Sequence, residues 1–228
     1  MARAVVLLSG GLDSSTVAAM AKERGFEIVA VTFDYGQRHR RELESAKAVA
    51  KALGVREHIL IGLPIGQHLD SSLTSAAKEV PTGRPRESIS ADIPSTYVPS
   101  RNIIFLSIAA SVAESRGADS VFIAANSVDF SGYPDCTPEF LAAFQATLDI
   151  GTKAGKEGRG IRIEAPVLRM SKAEIVREAV RLKVPLGSTW SCYKGGEKAC
   201  GECDSCVLRL EGFRQAGVRD PIEYEVRR

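Results

Sequence analysis

The strongest constraint on the fold is a short apolar run that leads directly into a glycine-containing turn. Residues 4–8, Ala-Val-Val-Leu-Leu, are typical of a strand that is buried on both faces. Residues 9–15, Ser-Gly-Gly-Leu-Asp-Ser-Ser, follow at once, and the glycines allow a sharp turn into a helix. Amide groups at a helix start lack intrahelical acceptors and carry positive partial charge. This order of elements therefore predicts an anion site.

The polar side chains of this turn favour a polyphosphate ligand. Three serines supply hydroxyl donors, and the Asp13 carboxylate is a suitable ligand for Mg²⁺. The common nucleoside triphosphate loop is excluded because its pattern requires Lys-Ser/Thr after the second glycine, whereas the nearest lysine is Lys22. The alternative is a strand-to-helix turn in which the glycines serve steric needs alone.

This turn resembles the loop of the pyrophosphate-loop ATP hydrolases, which hold the β and γ phosphates and split ATP into AMP and pyrophosphate. The resemblance implies that the ATP-binding residues are Leu8, Ser9, Gly10, Gly11, Leu12, Asp13, Ser14, Ser15, Thr16, Val17 and Ala18.

Helical and strand patterns alternate along most of the chain. Strands are predicted over residues 28–33, 58–61, 121–125 and 162–165, and helices over residues 13–24, 40–53 and 101–116. The last of these is nearly apolar throughout, which predicts a centrally buried helix. Thr137 followed by Pro138 predicts a helix start, and the capping-box spacing of Ser171 and Glu174 predicts a helix that ends near residue 183.

This alternation predicts an α/β fold: a Rossmann-like, doubly wound, parallel five-stranded sheet formed by one domain over residues 1–228. Ligands bind beyond the carboxyl ends of the strands of such sheets. Residues 9–15, 34–37 and 126–136 are therefore expected to share one cleft. Residues 62–100 contain five prolines and are interpreted as a lid or binding segment, with a disordered surface loop as the alternative. Residues 151–160 contain four glycines and are expected to be a mobile loop or turn.

The composition is typical of a globular protein with one well-buried core. The chain has 228 residues, of which 44% are hydrophobic, and no apolar stretch approaches the roughly 20 residues that a membrane-spanning helix needs. Because the N-terminus runs directly into the first strand, we expect a cytoplasmic location. The net charge of +2 provides no general attraction for nucleic acid, although residues 153–183 carry nine basic and four acidic side chains.

Four of the five cysteines lie close together near the C-terminus. Cys192, Cys200, Cys203 and Cys206 have the spacing C-x7-C-x2-C-x2-C. Four thiolates make a closed structural zinc site, and we expect residues 190–210 to form it. An iron–sulfur cluster and unligated thiols are the alternatives. A zinc segment that docks on nucleic acid is disfavoured because residues 192–228 carry seven basic and seven acidic side chains.

Five further segments resemble the 7-cyano-7-deazaguanine synthase family in sequence, order and spacing. They are residues 33–39 (Phe-Asp-Tyr-Gly-Gln-Arg-His), 98–102 (Val-Pro-Ser-Arg-Asn), 129–136 (Asp-Phe-Ser-Gly-Tyr-Pro-Asp-Cys), 189–193 (Thr-Trp-Ser-Cys-Tyr) and 199–206 (Ala-Cys-Gly-Glu-Cys-Asp-Ser-Cys). The resemblance covers almost the whole chain. Ser100 is a departure, because the family usually has glycine there.

The resemblance implies a ligase that uses ATP and ammonia to convert the carboxylate of 7-carboxy-7-deazaguanine into a nitrile, for queuosine or archaeosine precursors. It implies magnesium, one structural zinc ion per chain and a homodimer, and no direct contact with nucleic acid or membrane. A carboxylate is a poor electrophile, so activation as an acyl-adenylate lets ammonia form an amide. A second activation of the amide would then give the nitrile.

Several residues are candidates for catalysis or for binding the substrate. Lys172 adds positive charge near the phosphates, or else is a solvated first-turn lysine. Arg101 and Asn102 bind phosphate or substrate, or else only cap a helix. Asp129, Tyr133 and Asp135 offer acceptors and a ring face for a guanine-like base, although the same stretch would make an ordinary turn.

Two of the remaining residues have polar or reactive side chains without a settled role. His39 is either a solvated histidine or a proton carrier. Cys136 is interpreted as a small apolar residue rather than a nucleophile.

Two other functions remain open at this point. One is a pyrophosphate-loop enzyme that modifies tRNA directly, by base adenylation or by sulfur transfer; sulfur transfer would need a reactive cysteine pair, and only Cys136 lies outside the cluster. The other is a zinc-stabilised ATP-binding regulator without catalytic activity. Release of pyrophosphate in the presence of a carboxylic acid and ammonia distinguishes an enzyme from a regulator.

Overall fold

The computed structural model describes residues 2–85, 89, 93–128 and 132–226. Five strands form one all-parallel sheet in the order β3-β2-β1-β4-β5. The strands are β1 (Arg3–Leu7), β2 (Glu27–Asp34), β3 (Glu57–Gly62), β4 (Ser120–Phe122) and β5 (Arg162–Glu164). The α/β fold and the five predicted strands are therefore confirmed.

Helices follow the strands, as the sequence pattern predicts. In the described part of the chain they are α1 (Leu12–Glu23), α2 (Arg41–Ala52), α3 (Arg101–Arg116), α4 (Pro138–Gly151), α5 (Lys153–Lys156), α6 (Lys172–Arg181) and α7 (Asp204–Gln215). Short 3₁₀ turns occupy Gly66–His68, Pro134–Cys136 and Leu186–Ser188. None of the helices in the described ranges has the length and apolar character needed to cross a membrane.

The central strand β1 divides the core into two layers. Val5 and Leu7 pack with α3 and α4 on one face of the sheet, whereas Ala4 and Val6 pack with α1, α2 and α6 on the other. Successive side chains of a strand point to opposite faces, so an unbroken apolar run is what a strand covered on both sides requires. The sheet is therefore doubly wound.

Local capping residues set the starts of two helices as predicted. Thr137 Oγ1 accepts a hydrogen bond from Phe140 N at the start of α4, with Pro138 as the first helical residue. Ser171 and Glu174 form a reciprocal capping box at the start of α6. These local signals are confirmed because both partners lie within one helical turn.

Two predictions about individual segments need correction, and one helix was missed. Helix α3 is not buried all round: it packs one face through residues such as Leu106, while Ile103 is 41% exposed. Residues 151–160 are not simply an irregular loop, because they contain α5, with Thr152 as its capping residue. Helix α7 was not predicted at all.

The long proline-containing segment is packed against the rest of the protein where the structure describes it. Leu73 and Val98 belong to the core, which argues against the disordered alternative for these parts. Thr82 pairs with Cys203, and Gly83 N donates to Glu202 O at 3.0 Å, so this segment contacts the cysteine-rich region.

Candidate active site

A cavity of about 250 Å³ lies at the carboxyl ends of the strands. The direction in which successive strands are added to the sheet reverses between β1 and β4. Open parallel sheets bind ligands at such a switch point. The cavity is lined from all three segments that were expected to converge, including Ser9 after β1, Tyr35 after β2 and Asn126 after β4. The structure thus brings these segments to one site.

The turn between β1 and α1 has the backbone form required for an anion cradle. Gly10 has φ +85°, and a Cβ there would lie 2.5 Å from Ala46 N and overlap Glu42 O, so only glycine fits against α2. Gly11 is the N-cap residue, and the first amides of α1 follow it. The Ser9 and Ser14 hydroxyls lie 2.9 Å apart at the cavity wall.

The predicted nucleotide-binding residues separate into two groups in the structure. Leu8, Ser9, Gly11, Leu12, Asp13 and Ser14 line the cavity, whereas Gly10, Ser15, Thr16, Val17 and Ala18 do not. The Ser15 hydroxyl donates to Gly11 O at 2.7 Å and the Thr16 hydroxyl donates to Leu12 O at 2.8 Å. These two hydroxyls are therefore engaged with the backbone of α1, while Val17 and Ala18 belong to the core.

Lys172 supplies the positive charge that the turn itself lacks. It begins α6, and its Nζ donates to Asp13 Oδ2 at 2.7 Å. The residue is only 6% exposed, so the solvated alternative is wrong. Lys22, the nearest lysine in sequence, instead donates to Leu53 O. A lysine 159 positions away from Asp13 thus reaches the loop.

Asp13 retains an oxygen that is suited to a cation. Its Oδ1 is buried and has no hydrogen-bond partner among the described residues, while Oδ2 is bound by Lys172. A buried acceptor without a donor is costly unless a ligand satisfies it. This donor set fits a hard divalent cation such as Mg²⁺, which binds carboxylate and phosphate oxygens.

Arg101 lies deep in the cavity among tyrosines. Its Nη1 donates to Tyr35 Oη at 3.3 Å, and it has no carboxylate partner in the described part of the chain. Burial alone lowers the pKa of Arg101, but the hydroxyls of Tyr35 and Tyr133 outweigh it and raise the pKa above its usual value. Burial also raises the pKa of Tyr193, which keeps that phenol neutral. The site therefore offers a fixed cation surrounded by neutral aromatic rings.

The 129–136 segment contributes differently from what the sequence suggests. Tyr133 lines the cavity and its hydroxyl lies 2.9 Å from Thr96 Oγ1. Asp135 does not line the cavity, because its Oδ2 accepts a hydrogen bond from Asn102 N at the start of α3. Asn102 lines the cavity and also donates through Nδ2 to Asp135 O. Asp129 lies outside the described residues.

Ser100 adopts the conformation that a glycine would favour. It precedes α3 with φ 56° and ψ 20°, in the left-handed region. A non-glycine residue there is strained by about 1–2 kcal/mol. The backbone angle at this departure from the family pattern therefore stays glycine-like, and the serine side chain is accommodated.

Cys136 lies beside the cavity but has the properties of a protonated thiol. Asn102 Nδ2 donates to its Sγ at 3.2 Å. Burial, followed by the nearby Asp135 carboxylate, raises the pKa of Cys136 to about 11. A thiol of this kind is a poor nucleophile near neutral pH.

The four clustered cysteines form a group that can hold a metal ion. Their Sγ atoms all lie within 4.8 Å of one another, and all four residues are buried. The amides of Glu202 and Cys203 donate to Cys200 Sγ at 3.4 and 3.3 Å. Hydrogen bonding with Cys203 lowers the pKa of Cys200 to about 6. Four soft sulfur donors, the set found among the described residues, fit a closed zinc site.

Sequence reasoning missed Arg209. This residue joins residues 190–210, called the cysteine segment below, to the cavity wall. Arg209 is 2% exposed and pairs with Asp220 through Nε at 2.7 Å and Nη2 at 3.0 Å. Its Nη1 also donates to Thr189 Oγ1 at 2.9 Å. No local sequence pattern predicts the pair of Arg209 and Asp220, because the two residues lie on different segments.

Sequence reasoning also missed Glu42. Its Oε2 lies 3.2 Å from His39 Nε2, and both residues line the cavity. His39 is 4% exposed, so the solvated interpretation is wrong. The i,i+3 spacing of the pair at a helix start was a usable signal in the sequence.

A parallel, doubly wound sheet with this serine- and glycine-containing loop at its switch point defines a protein of the pyrophosphate-loop class. The family model described as "Queuosine biosynthesis protein QueC" matches residues 3–217. The chain belongs to the QueC family.

Curated relatives match along almost the whole chain. The "7-cyano-7-deazaguanine synthase 2" of Desulfitobacterium hafniense (strain Y51) is 55% identical over 225 residues, which cover 98% of this chain and 94% of that protein. The "7-cyano-7-deazaguanine synthase" of Thermoplasma acidophilum is 54% identical over 229 residues, covering 98% and 92%. Because these full-length relatives are named as synthases, the chain is an enzyme.

A solved structure supports the fold independently. The NMN synthetase from Francisella tularensis superimposes with a TM-score of 0.50 at 14% identity, covering 95% of this chain and 78% of that chain. At this identity the likeness concerns the fold alone.

Proposed function

We propose that this enzyme converts 7-carboxy-7-deazaguanine and ammonia into 7-cyano-7-deazaguanine at the expense of ATP, in the formation of queuosine or archaeosine precursors. The names of the full-length relatives and the resemblance of the cavity segments support the substrate. The observation that carries the proposal is the contact of Lys172 with Asp13 at the turn between β1 and α1, in the same cavity as the partly buried Arg101.

The first half of the reaction follows from these charges. The amides at the start of α1, the hydroxyls of Ser9 and Ser14 and the ammonium of Lys172 hold the polyphosphate of ATP. Arg101 pairs with the substrate carboxylate and orients it toward the α-phosphate, because a cation that has no carboxylate partner among the described residues gains most from such a pair. Attack by a carboxylate oxygen then releases pyrophosphate and gives an acyl-adenylate.

The second half repeats this activation on a different oxygen. Ammonia displaces AMP from the acyl-adenylate and gives the amide. A second ATP adenylates the amide oxygen and releases pyrophosphate; the nitrogen then loses its two protons while AMP leaves with that oxygen, which gives the nitrile. Tyr35, Tyr133 and Phe105 surround Arg101 with neutral rings and exclude water, which would otherwise hydrolyse the adenylate.

Two ions are part of this proposal. Asp13 would hold Mg²⁺, which neutralises phosphate charge during transfer. Cys192, Cys200, Cys203 and Cys206 would hold one structural zinc ion that stabilises the segment behind the cavity. This makes the enzyme an ATP-dependent, C–N bond-forming ligase.

The partners are proposed to be small molecules and a second copy of the chain. The family resemblance supports a homodimer, and the partly exposed apolar side chains of α3, such as Ile103, are consistent with one. Light scattering should then give twice the mass of one chain. The equal numbers of basic and acidic side chains after Cys192 favour no direct tRNA binding, and fluorescence anisotropy with labelled tRNA should show none at physiological salt.

Mass spectrometry of the product tests the catalytic proposal. Incubation with ATP, ammonia and 7-carboxy-7-deazaguanine should give the nitrile together with AMP and pyrophosphate, and Asp13→Asn should abolish all three products. A product that stops at the amide would refute the second activation. Release of ADP and orthophosphate would refute adenylation, and ATP binding without turnover would favour a regulator.

A further inference from the structure

A buried histidine beside residues 9–15, the proposed phosphate loop, has one ring nitrogen without a hydrogen-bond partner among the described residues. His39 lines the cavity, and its Nε2 lies 3.2 Å from Glu42 Oε2. Its Nδ1 is buried and has no hydrogen-bond partner among the described residues. A histidine that served packing alone would have both ring nitrogens satisfied.

The contact with Glu42 determines which nitrogen carries the proton. A carboxylate is an acceptor only, so Nε2 must be the protonated, donating nitrogen. In the neutral imidazole, Nδ1 then carries the lone pair. The unsatisfied Nδ1 is therefore a base rather than a hydrogen-bond donor.

Glu42 is itself held in position by a buried glutamine. Glu42 Oε1 accepts a hydrogen bond from Gln37 Nε2 at 3.0 Å. Gln37 is fixed in turn, because its Nε2 also donates to Phe33 O at 3.1 Å and its Oε1 accepts from Tyr35 N at 2.9 Å. His39 is thus oriented by Glu42, and Glu42 is oriented by Gln37. A base held in place by such a chain of hydrogen bonds is typical of proton-transfer sites.

Two glycines fix this pair between the phosphate loop and the cysteine segment. The close approach of Gly10 to α2 brings the backbone of Glu42 against the loop. On the other side, a Cβ at Gly195 would lie 2.9 Å from His39 Cα, and the Tyr193 ring centroid is 5.8 Å from that of His39. The groups that face the imidazole are thus Glu42 from α2 and the Tyr193 ring from the cysteine segment.

We propose that His39, oriented by Glu42, accepts the proton that ammonia loses when it attacks the acyl-adenylate. This inference rests on the proposed function. In the step, the nitrogen lone pair forms the C–N bond and the C–O bond to AMP breaks. AMP leaves with that electron pair, and one N–H proton passes to His39 Nδ1. The amide, AMP and a protonated imidazole are the products, so atoms and charge balance.

The nucleophile itself makes such a base necessary. Near neutral pH most ammonia is present as ammonium, which has no lone pair, and the attacking nitrogen must also lose a proton before the intermediate can collapse to the amide. A positioned base typically accelerates proton transfer of this kind by about 10²–10⁴-fold. Hydroxylamine is a weaker base, so the nitrogen of its adduct is more acidic and loses its proton to water more readily; it therefore depends less on a protein base.

The test compares His39→Gln with the unchanged enzyme in three assays. Gln can still donate to Glu42 but cannot accept a proton. Carboxylate-dependent exchange of pyrophosphate into ATP should be unchanged, and hydroxamate formation with hydroxylamine should fall little. Ammonia-dependent product formation should fall about 10²-fold or more. His68→Gln, at an exposed site outside the cavity, is the matched control and should leave all three rates unchanged.

Glu42→Gln tests the orienting role. It keeps a hydrogen-bonding side chain of the same size, so the ammonia-dependent rate should fall by less than in His39→Gln, and the exchange rate should again be unchanged.

Two outcomes would overturn the inference. If His39→Gln lowers exchange, hydroxamate formation and ammonia use by the same factor, His39 has only a structural role. If ammonia use is unchanged, His39 takes no proton. If the unchanged enzyme itself shows no carboxylate-dependent exchange, the proposed function fails instead, and the two failures are thereby distinguished.

Discussion

Gly212 on α7 packs directly against the side chain of Lys172 at the start of α6. A Cβ at Gly212 would overlap Lys172 Cγ and lie 2.8 Å from Lys172 Cβ. The Lys172 ammonium in turn lies 2.7 Å from Asp13 Oδ2 in the turn between β1 and α1. Helix α7 begins directly after Cys203 and contains Cys206. The helix that continues from the cysteine segment therefore packs against the lysine that contacts Asp13. This part of the chain therefore packs against the candidate active site.

Gly212→Ala should impair the use of ATP. The added methyl group displaces the Lys172 stem, and a displacement of about 1 Å at a reacting group can lower a rate about 100-fold. We expect pyrophosphate exchange to fall by about 10- to 100-fold. Gly151→Ala, at the end of α4 with no atom within 4 Å of the new Cβ, is the matched control and should not change the rate.

Lys172→Met keeps the stem and removes the charge, so it separates this effect from a loss of stability. In that background, Gly212→Ala should have no further effect on exchange. It should lower Tm by the same amount as it does when Lys172 is present. Equal losses of exchange in both backgrounds would show that Gly212 acts through packing alone.

Removal of one clustered thiol should release the metal and destabilise the fold. In Cys200→Ser we expect less than one zinc ion per chain by elemental analysis and a large fall in Tm, because metal binding by such a site contributes directly to folding. Cys136→Ser is the control, since Cys136 lies outside the cluster, and its metal content should be unchanged. Iron with sulfide in the purified protein would contradict zinc.

The buried ion pair of Arg209 and Asp220 should contribute strongly to stability. Arg209→Ala leaves the Asp220 carboxylate buried without its charge partner, which typically costs about 3–5 kcal/mol. For a chain of this size that corresponds to a fall in Tm of roughly 6–20 °C by calorimetry. Arg214→Ala on the same helix removes an exposed pair with Glu211 and should hardly change Tm. Equal shifts in the two variants would contradict this assignment.

Ser100→Gly should stabilise the protein. Glycine takes φ 56° without strain, although it loses more conformational entropy on folding, so we expect a net gain of about 0.5–1 kcal/mol. Ser107→Gly, at an exposed position inside α3, should instead destabilise by a similar amount. Chemical denaturation measures both; the same sign in both variants would refute strain at Ser100.

Alkylation of Cys136 should depend on pH in the way that its burial dictates. Because the pKa of Cys136 is raised to about 11, its thiol stays protonated in the folded protein at pH values where an unfolded chain ionises it. The same shift means that stability contributed by the neutral thiol is lost as the pH rises from about 9 toward 11. Peptide mapping after iodoacetamide treatment should show a rate that rises with a midpoint near pH 11. A midpoint near the ordinary thiol value would contradict a partly buried, protonated Cys136.

The sequence determined the features that depend on near neighbours along the chain. Apolar runs set the strands, the capping box at Ser171 set the start of α6, and the cysteine spacing indicated the four-thiol group that can hold a metal ion, because each of these signals lies within a short stretch of the chain. Helix α7 was not predicted from the sequence, because polar residues such as Arg209 and Asp204 are buried on its packed face and interrupt the helical spacing of apolar residues.

Only the tertiary structure decided which distant side chains meet. It turned Asp135 away from the cavity to bind the start of α3, brought Lys172 rather than Lys22 to Asp13, and buried His39 against Glu42. Charges and hydrogen-bonding groups have no periodicity that records their partners. Their pairing follows from the packing of α2, α6 and α7 around the sheet, where burial makes an unsatisfied polar atom costly and so selects one arrangement.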